Sequence, residues 1–182
     1  GFFTVPMDKH WVALLSADRS EWMLSVARNF SRWGDLWGTG IVAALLFAAG
    51  AALRSSRMKR AALAVLLAAS LAGLSANVVR FSVGRPRPVS KKPDGLYGPT
   101  TQYRLLGFPS AHASTASATA STVAVVFPLI GLPLVALAVG VMWSRIHRRR
   151  HHPTDVLVGA FIGALFGIGL GLSAKRESEG TS

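Results

Sequence analysis

Five apolar runs separated by short charged stretches constrain this chain more than any other feature of its sequence: 36–53, 61–79, a run opening at Ser110, 134–143 and 156–172. Runs of this kind approach the ~20 predominantly apolar residues that a helix needs to cross a bilayer. Hydrocarbon offers no water to backbone N–H and C=O groups, so each run must satisfy its own hydrogen bonds, and a helix does that within one segment. The expected fold is therefore all-α: a polytopic membrane helix bundle of about five transmembrane helices within 36–173, in a single domain over 1–182. A hydrophobic fraction of 51% against 15% charged residues, with mean hydropathy +0.39, agrees with a chain that meets lipid.

Individual runs differ. From Ser110 to Thr122 the third is rich in Ala, Ser and Thr, which suits close helix packing inside a bundle better than contact with lipid. Gly131 and Pro133 read as a tight turn before the fourth run, which is short, so its start is expected a little earlier. Within 1–35, Trp11, Leu14, Leu15, Trp22, Met23, Val26, Phe30 and Trp33 recur at helical steps among charges. That pattern fits amphipathic helices at the membrane interface, or helices packed on the ends of others. Asp8 and Lys9 interrupt the first apolar stretch, which excludes a signal-peptide pattern there, and 174–182 is read as a polar tail. There is no cysteine, so disulfides and thiolate metal sites are excluded.

Counting crossings places the 80–109 loop, the start of the third helix and the 144–155 connection on one membrane face, opposite the basic loop Arg54, Arg57, Lys59 and Arg60. Much of the net charge of +12 gathers on that face: Arg80, Arg85, Arg87, Lys91, Lys92, Arg104, Arg145, Arg148, Arg149 and Arg150, with only Asp94 and Asp155 against them. Forked guanidinium donors suit a phosphate; a collar touching anionic headgroups would have the same composition. Ser110 follows Pro109 at an N-cap position, which turns the amides of Ala111 and His112 outward at a helix end that attracts anions. His151 and Asp155 lie four apart across Pro153, so the carboxylate is expected to accept a hydrogen bond from one ring nitrogen and leave the other as a nucleophile. An interfacial His–Asp pair that only anchors a helix reads identically.

Taken together, these segments resemble the signature of the type 2 phosphatidic acid phosphatase superfamily, the lipid phosphate phosphatases. Its three parts are found in order: Arg80 with Arg87-Pro88, then Pro109-Ser110-Ala111-His112, then Ser144-Arg145 with His151 and Asp155. Arg80 stands where the family usually has Lys, and Ala111 where it usually has Gly. The family commonly has six spans, so an N-terminal span is expected to be missing here. The resemblance implies phosphate held by Arg80, Arg87, Ser110, Ala111 and Arg145, attack by His151, proton transfer by His112 and orientation by Asp155. It also implies a lipid phosphate or pyrophosphate substrate at the bilayer, and no cofactor. Metal is not expected, because Mg²⁺ sites draw on carboxylates that the active face lacks and arginines would repel a cation.

Vanadium haloperoxidases share the signature, but they are soluble and larger. A non-catalytic headgroup-binding or transport protein would leave the His151–Asp155 pair without a task. Nucleic acid is not an expected partner, because the basic residues are interrupted by spans. The short loop Arg54–Arg60 suggests a cytoplasmic end, hence a bacterial inner-membrane protein with its site facing the periplasm or exterior.

Overall fold

The computed structural model describes residues 6–90 and 92–179, all helical or irregular, with no strand among them. Among the described residues seven α-helices run in order: α1 Pro6–Leu15, α2 Glu21–Trp33, α3 Leu36–Ala52, α4 Ser56–Val83, α5 Ala111–Val126, α6 Pro128–His147 and α7 Pro153–Glu179. The chain is thus an all-α membrane helix bundle. Helices α4, α6 and α7 are each long and apolar enough to cross a bilayer, and α2 with α3, bent by 58°, qualifies as a further broken span.

Helix α5 explains the difference from a count of five independent spans. It has 16 residues, most of them buried, and α4, α6 and α7 enclose it. Its hydroxyls lower its hydropathy but serve the packing. Ser114 Oγ donates to Ala72 O (3.1 Å), Ser117 Oγ to Ala160 O (2.9 Å) and Thr115 Oγ1 to Gly34 O (2.6 Å), while Thr119 Oγ1 lies 2.8 Å from Thr39 Oγ1. Against α7 it packs almost backbone to backbone. A Cβ on Gly159, Gly163 or Gly167 would stand 2.4, 2.1 or 2.5 Å from the carbonyl oxygen of Ser110, Ser114 or Ala118. Leucines of α4, including Leu63, Leu67 and Leu74, face outward, as lipid contact requires.

Two expectations need correction. Pro133 lies inside α6, not in a turn; the chain reverses at Phe127, and Pro128 opens the helix, where a missing N–H costs nothing. Gly131 has its place because a Cβ there would sit 2.2 Å from Ala124 Cα. Residues 174–179 do not form a loose tail. They continue α7, with Ala174 buried in the core and Glu177 3.7 Å from Arg60, while 180–182 lie outside the described residues. The N-terminal helices combine both alternatives. Trp22 is exposed, but Val12 of α1 packs with Ala113, Ile146 and Val156, and Phe30 of α2 meets Trp143 edge-on.

Two ends result. The end with Arg57, whose Nη2 donates to Val126 O, also carries Arg60 and Glu177. The opposite end gathers the 84–110 loop, the starts of α5 and α7, the end of α6, and α1. Gly163→Ala is expected to destabilise the detergent-solubilised protein by about 1–3 kcal/mol, the usual cost of overpacking. Gly169→Ala, at a position with open space around it, should leave the thermal midpoint unchanged or raise it slightly.

Candidate active site

The close α5–α7 seam brings the two histidine segments together, because Ser110 N donates to Asp155 O at 2.9 Å where both helices begin. Ser110 is fully buried and caps α5, its Oγ accepting from Ala113 N at 3.4 Å. The amides of Ala111 and His112 are among those that any helix start leaves without an intrahelical acceptor.

His151 is 1% exposed, and its Nδ1 lies 2.6 Å from the Gly107 carbonyl. A carbonyl can only accept, so Nδ1 carries the proton and Nε2 keeps a lone pair. The hydrogen bond expected from Asp155 is not formed. Its Oδ2 stands 4.0 Å from His151 Nδ1 and accepts from His152 N at 2.7 Å, while its Oδ1 is bonded by Arg85 Nη1. The carboxylate is already occupied in capping α7 and neutralising a buried guanidinium. Burial, followed by the charges of Arg145, Arg87 and Arg80, pushes the His151 ring well below its ordinary pKa, so the ring is held neutral.

Arginines surround this ring. Arg80 directs Nε and Nη2 to Pro109 O, each at 3.3 Å. Arg87 donates through Nε to Leu106 O (3.1 Å) and stacks 3.9 Å above the Tyr103 ring, and Arg145 donates through Nη1 to Ser31 Oγ (2.5 Å). Arg87 Nη1 and Arg145 Nε are buried and have no partner among the described residues. Such orphaned donors cost free energy unless a ligand meets them. His112 Nε2 pairs with Asp35 Oδ1 at 2.8 Å. Lys91 lies outside the described residues.

Sequence reasoning missed Asp8, Asp35, Ser31 and the Gly107 carbonyl. Asp8 accepts from Thr154 N (3.1 Å), Thr154 Oγ1 (2.6 Å) and Arg85 Nη2 (2.8 Å), so α1 is tied through Arg85 to Asp155. Burial raises the Asp8 pKa, but the bonds from Thr154 and Arg85 outweigh it and hold the carboxyl below its ordinary value. Nothing local in the sequence marks this residue, which reads only as a charge inside an apolar stretch.

Two cavities meet at His112 and Asp35. One, of roughly 390 Å³, is lined by Ser31, Tyr103, Arg145, Arg148 and Arg150 as well. The other, of roughly 430 Å³, runs between α3, α4 and α5 past Ala69, Gly73, Asn77 and Arg80 toward the lipid-facing side of α4. An anion can sit beside His112 among Arg145, Arg148 and Arg150, while an apolar tail lies along the second cavity.

The model of the PAP2 superfamily matches residues 61–177. Two Rhizobium lipid A 1-phosphatases are similar: that of R. johnstonii is 30% identical over 99 residues, 53% of this chain and 41% of its own, and that of R. etli 28% over 150 residues, 75% and 65%. The chain thus spans less than two thirds of those relatives. A decaprenylphosphoryl-5-phosphoribose phosphatase of Mycolicibacterium smegmatis is 39% identical over 138 residues, covering 75% of this chain and 71% of that one. In structure the chain resembles a transmembrane PAP2-type phosphatidylglycerolphosphate phosphatase of Bacillus subtilis, with a TM-score of 0.71 over 96% of this chain and 89% of the other; at 19% identity this is likeness of fold.

Two outcomes are expected. Asp8→Ala removes one of the two carboxylates from buried Arg85 and should destabilise by about 3–5 kcal/mol, read as thermal unfolding in detergent. The folded His151 ring binds its proton more weakly than the unfolded ring, whose pKa is about 6.5, so its contribution to stability is complete above that pH and is lost as pH falls below it. The thermal midpoint should drop on acidification through this window. His151→Gln should flatten that slope, and an unchanged slope would show that the ring is not held neutral.

Proposed function

The chain belongs to the PAP2 superfamily, and from that premise we propose that it is an integral membrane phosphatase that hydrolyses a lipid phosphate or pyrophosphate through a phosphohistidine on His151. The observation that carries this reading is the His151 ring itself: buried, neutral, with Nδ1–H given to the Gly107 carbonyl and Nε2 left as a nucleophile beneath a group of arginines.

In the first step Nε2 attacks phosphorus, an N–P bond forms and the P–O bond to the leaving group breaks. His112 supplies the proton that the departing oxygen takes up, with Asp35 Oδ1 2.8 Å from its Nε2. In the second step water attacks phosphorus, His112 takes its proton, the N–P bond breaks, and inorganic phosphate leaves with the His151 lone pair restored. Arg80, Arg87 and Arg145, with the Ser110 hydroxyl and the Ala111 and His112 amides, hold the phosphate oxygens; Arg87 Nη1 and Arg145 Nε are available to do so. Positioning and charge neutralisation of this kind are most of what phosphoryl transfer asks of a protein. Asp155 acts one step removed, by fixing the turn that carries His151 and His152.

The reaction runs without metal in this reading. Asp35 and Asp8 add carboxylates that the sequence count had left out, but they are committed to His112 and Arg85, as Asp155 is to Arg85. A lipid substrate fits the cavity between α3, α4 and α5, which leads from Arg80 and His112 toward the bilayer. Undecaprenyl pyrophosphate, phosphatidylglycerol phosphate, phosphatidate and a lipid A phosphate are all candidates, and likeness to the mycobacterial enzyme adds a phosphorylated polyprenyl-linked sugar. The basic α3–α4 connection favours a bacterial inner membrane with the site outward. A headgroup-binding protein without turnover would leave the tautomer of His151 without a use.

Phosphate release from these lipids in detergent should persist in excess EDTA. His151→Ala should lower it by several orders of magnitude, as loss of a nucleophile does. Equal release by wild type and variant, or activity lost to EDTA and restored by Mg²⁺, contradicts the mechanism.

A further inference from the structure

On the far side of Arg87 from the catalytic cavity lies a separate cavity of roughly 450 Å³. Its charged lining consists of Lys9, Arg87, Lys92, Arg149 and Asp94, with His152 in the wall. Asp94 is paired with Lys9 at 2.5 Å, so no carboxylate of this lining answers Arg87, Lys92 or Arg149. Arg149 is positioned from two sides. Its Nε donates to Ser16 Oγ at 2.9 Å, and its backbone takes φ +53°, where Gly or Asn would fit more readily than Arg. His152 is 6% exposed, and its Nδ1 is buried without a partner among the described residues. An imidazole nitrogen without a protein partner can meet a phosphate oxygen or a hydroxyl, as donor or as acceptor. Prolines 86, 88 and 93 stiffen the walls.

The stacked side chains of Arg87 and Tyr103 lie between the two cavities. Arg87 lines this one, and its face lies 3.9 Å from the ring of Tyr103, which lines the catalytic one. We propose that this cavity is a second anion site, which takes another phosphate of the same substrate, so that the enzyme prefers lipids whose headgroup bears two phosphates, one cleaved and one held. This rests on the phosphatase reading above. Free inorganic phosphate has the same chemistry and is the other possible source of the anion.

The test compares two lipids of one skeleton, bearing one or two phosphomonoesters, with wild type and the Lys92→Ala/Arg149→Ala double variant. Removing two charge-assisted hydrogen bonds should raise KM for the doubly phosphorylated lipid about tenfold or more, while kcat and the KM for the singly phosphorylated lipid change little. Equal rises in both KM values would reduce the cavity to a general electrostatic field and overturn the proposal, as would no change in either. If the double variant alters only the effect of added inorganic phosphate on the singly phosphorylated lipid, the site takes free phosphate and the substrate claim fails. Equilibrium binding of both lipids to His151→Ala protein, with and without the double substitution, reads the same difference without turnover. Absent hydrolysis by wild type therefore sinks the phosphatase reading and leaves this site to be judged by binding alone.

Discussion

The approach of α5 to α7 sets everything else at this end of the bundle. Along Gly159, Gly163 and Gly167 no side chain separates the helices, and the Ser110 N–H reaches the Asp155 carbonyl where they begin. In lipid there is little hydrophobic drive between helices, so such contact is stabilised by van der Waals packing and by hydroxyl-to-carbonyl bonds. Its consequence is chemical. The N-terminus of α5, with His112, and the turn before α7, with His151, are held beside one another at one end of the bundle.

That end of the bundle carries an electrostatic cost. Three arginines crowd a buried imidazole, and two of their nitrogens have no partner among the described residues. Like charges held together out of water raise the free energy of the fold, and a bound dianion would relieve them. Arg85 is treated differently: Asp8 and Asp155 neutralise it, and it serves as a rivet between α1 and α7. The fold thus pairs Arg85 with carboxylates and leaves nitrogens of Arg87 and Arg145 without a partner among the described residues, a difference that depends on where those carboxylates are delivered.

The N-terminal helices take part in the same division. Asp8 completes the rivet, Ser31 of α2 holds Arg145, and Asp35, at the bend between α2 and α3, holds His112. A segment that reads as an interfacial appendage therefore supplies partners to the site residues.

Much was legible from the residues themselves. Apolar length dictates helices wherever a backbone must satisfy itself in hydrocarbon, and the cap at Ser110 and the shared face of the loops follow from spacing and crossing number. Local pattern also misled: Pro133 suggested a turn because proline stops helices, yet Pro128 had already opened α6 and the ring falls early in it. Nor could spacing say what each imidazole touches. Asp155 is four residues from His151 yet turns to His152 and Arg85, and a carbonyl 44 residues away takes the Nδ1 proton. The sequence by itself determined the helices, because their hydrogen bonds are local. Only the tertiary structure decided tautomer, charge pairing and cavity, because those depend on groups that packing alone brings within a few ångströms.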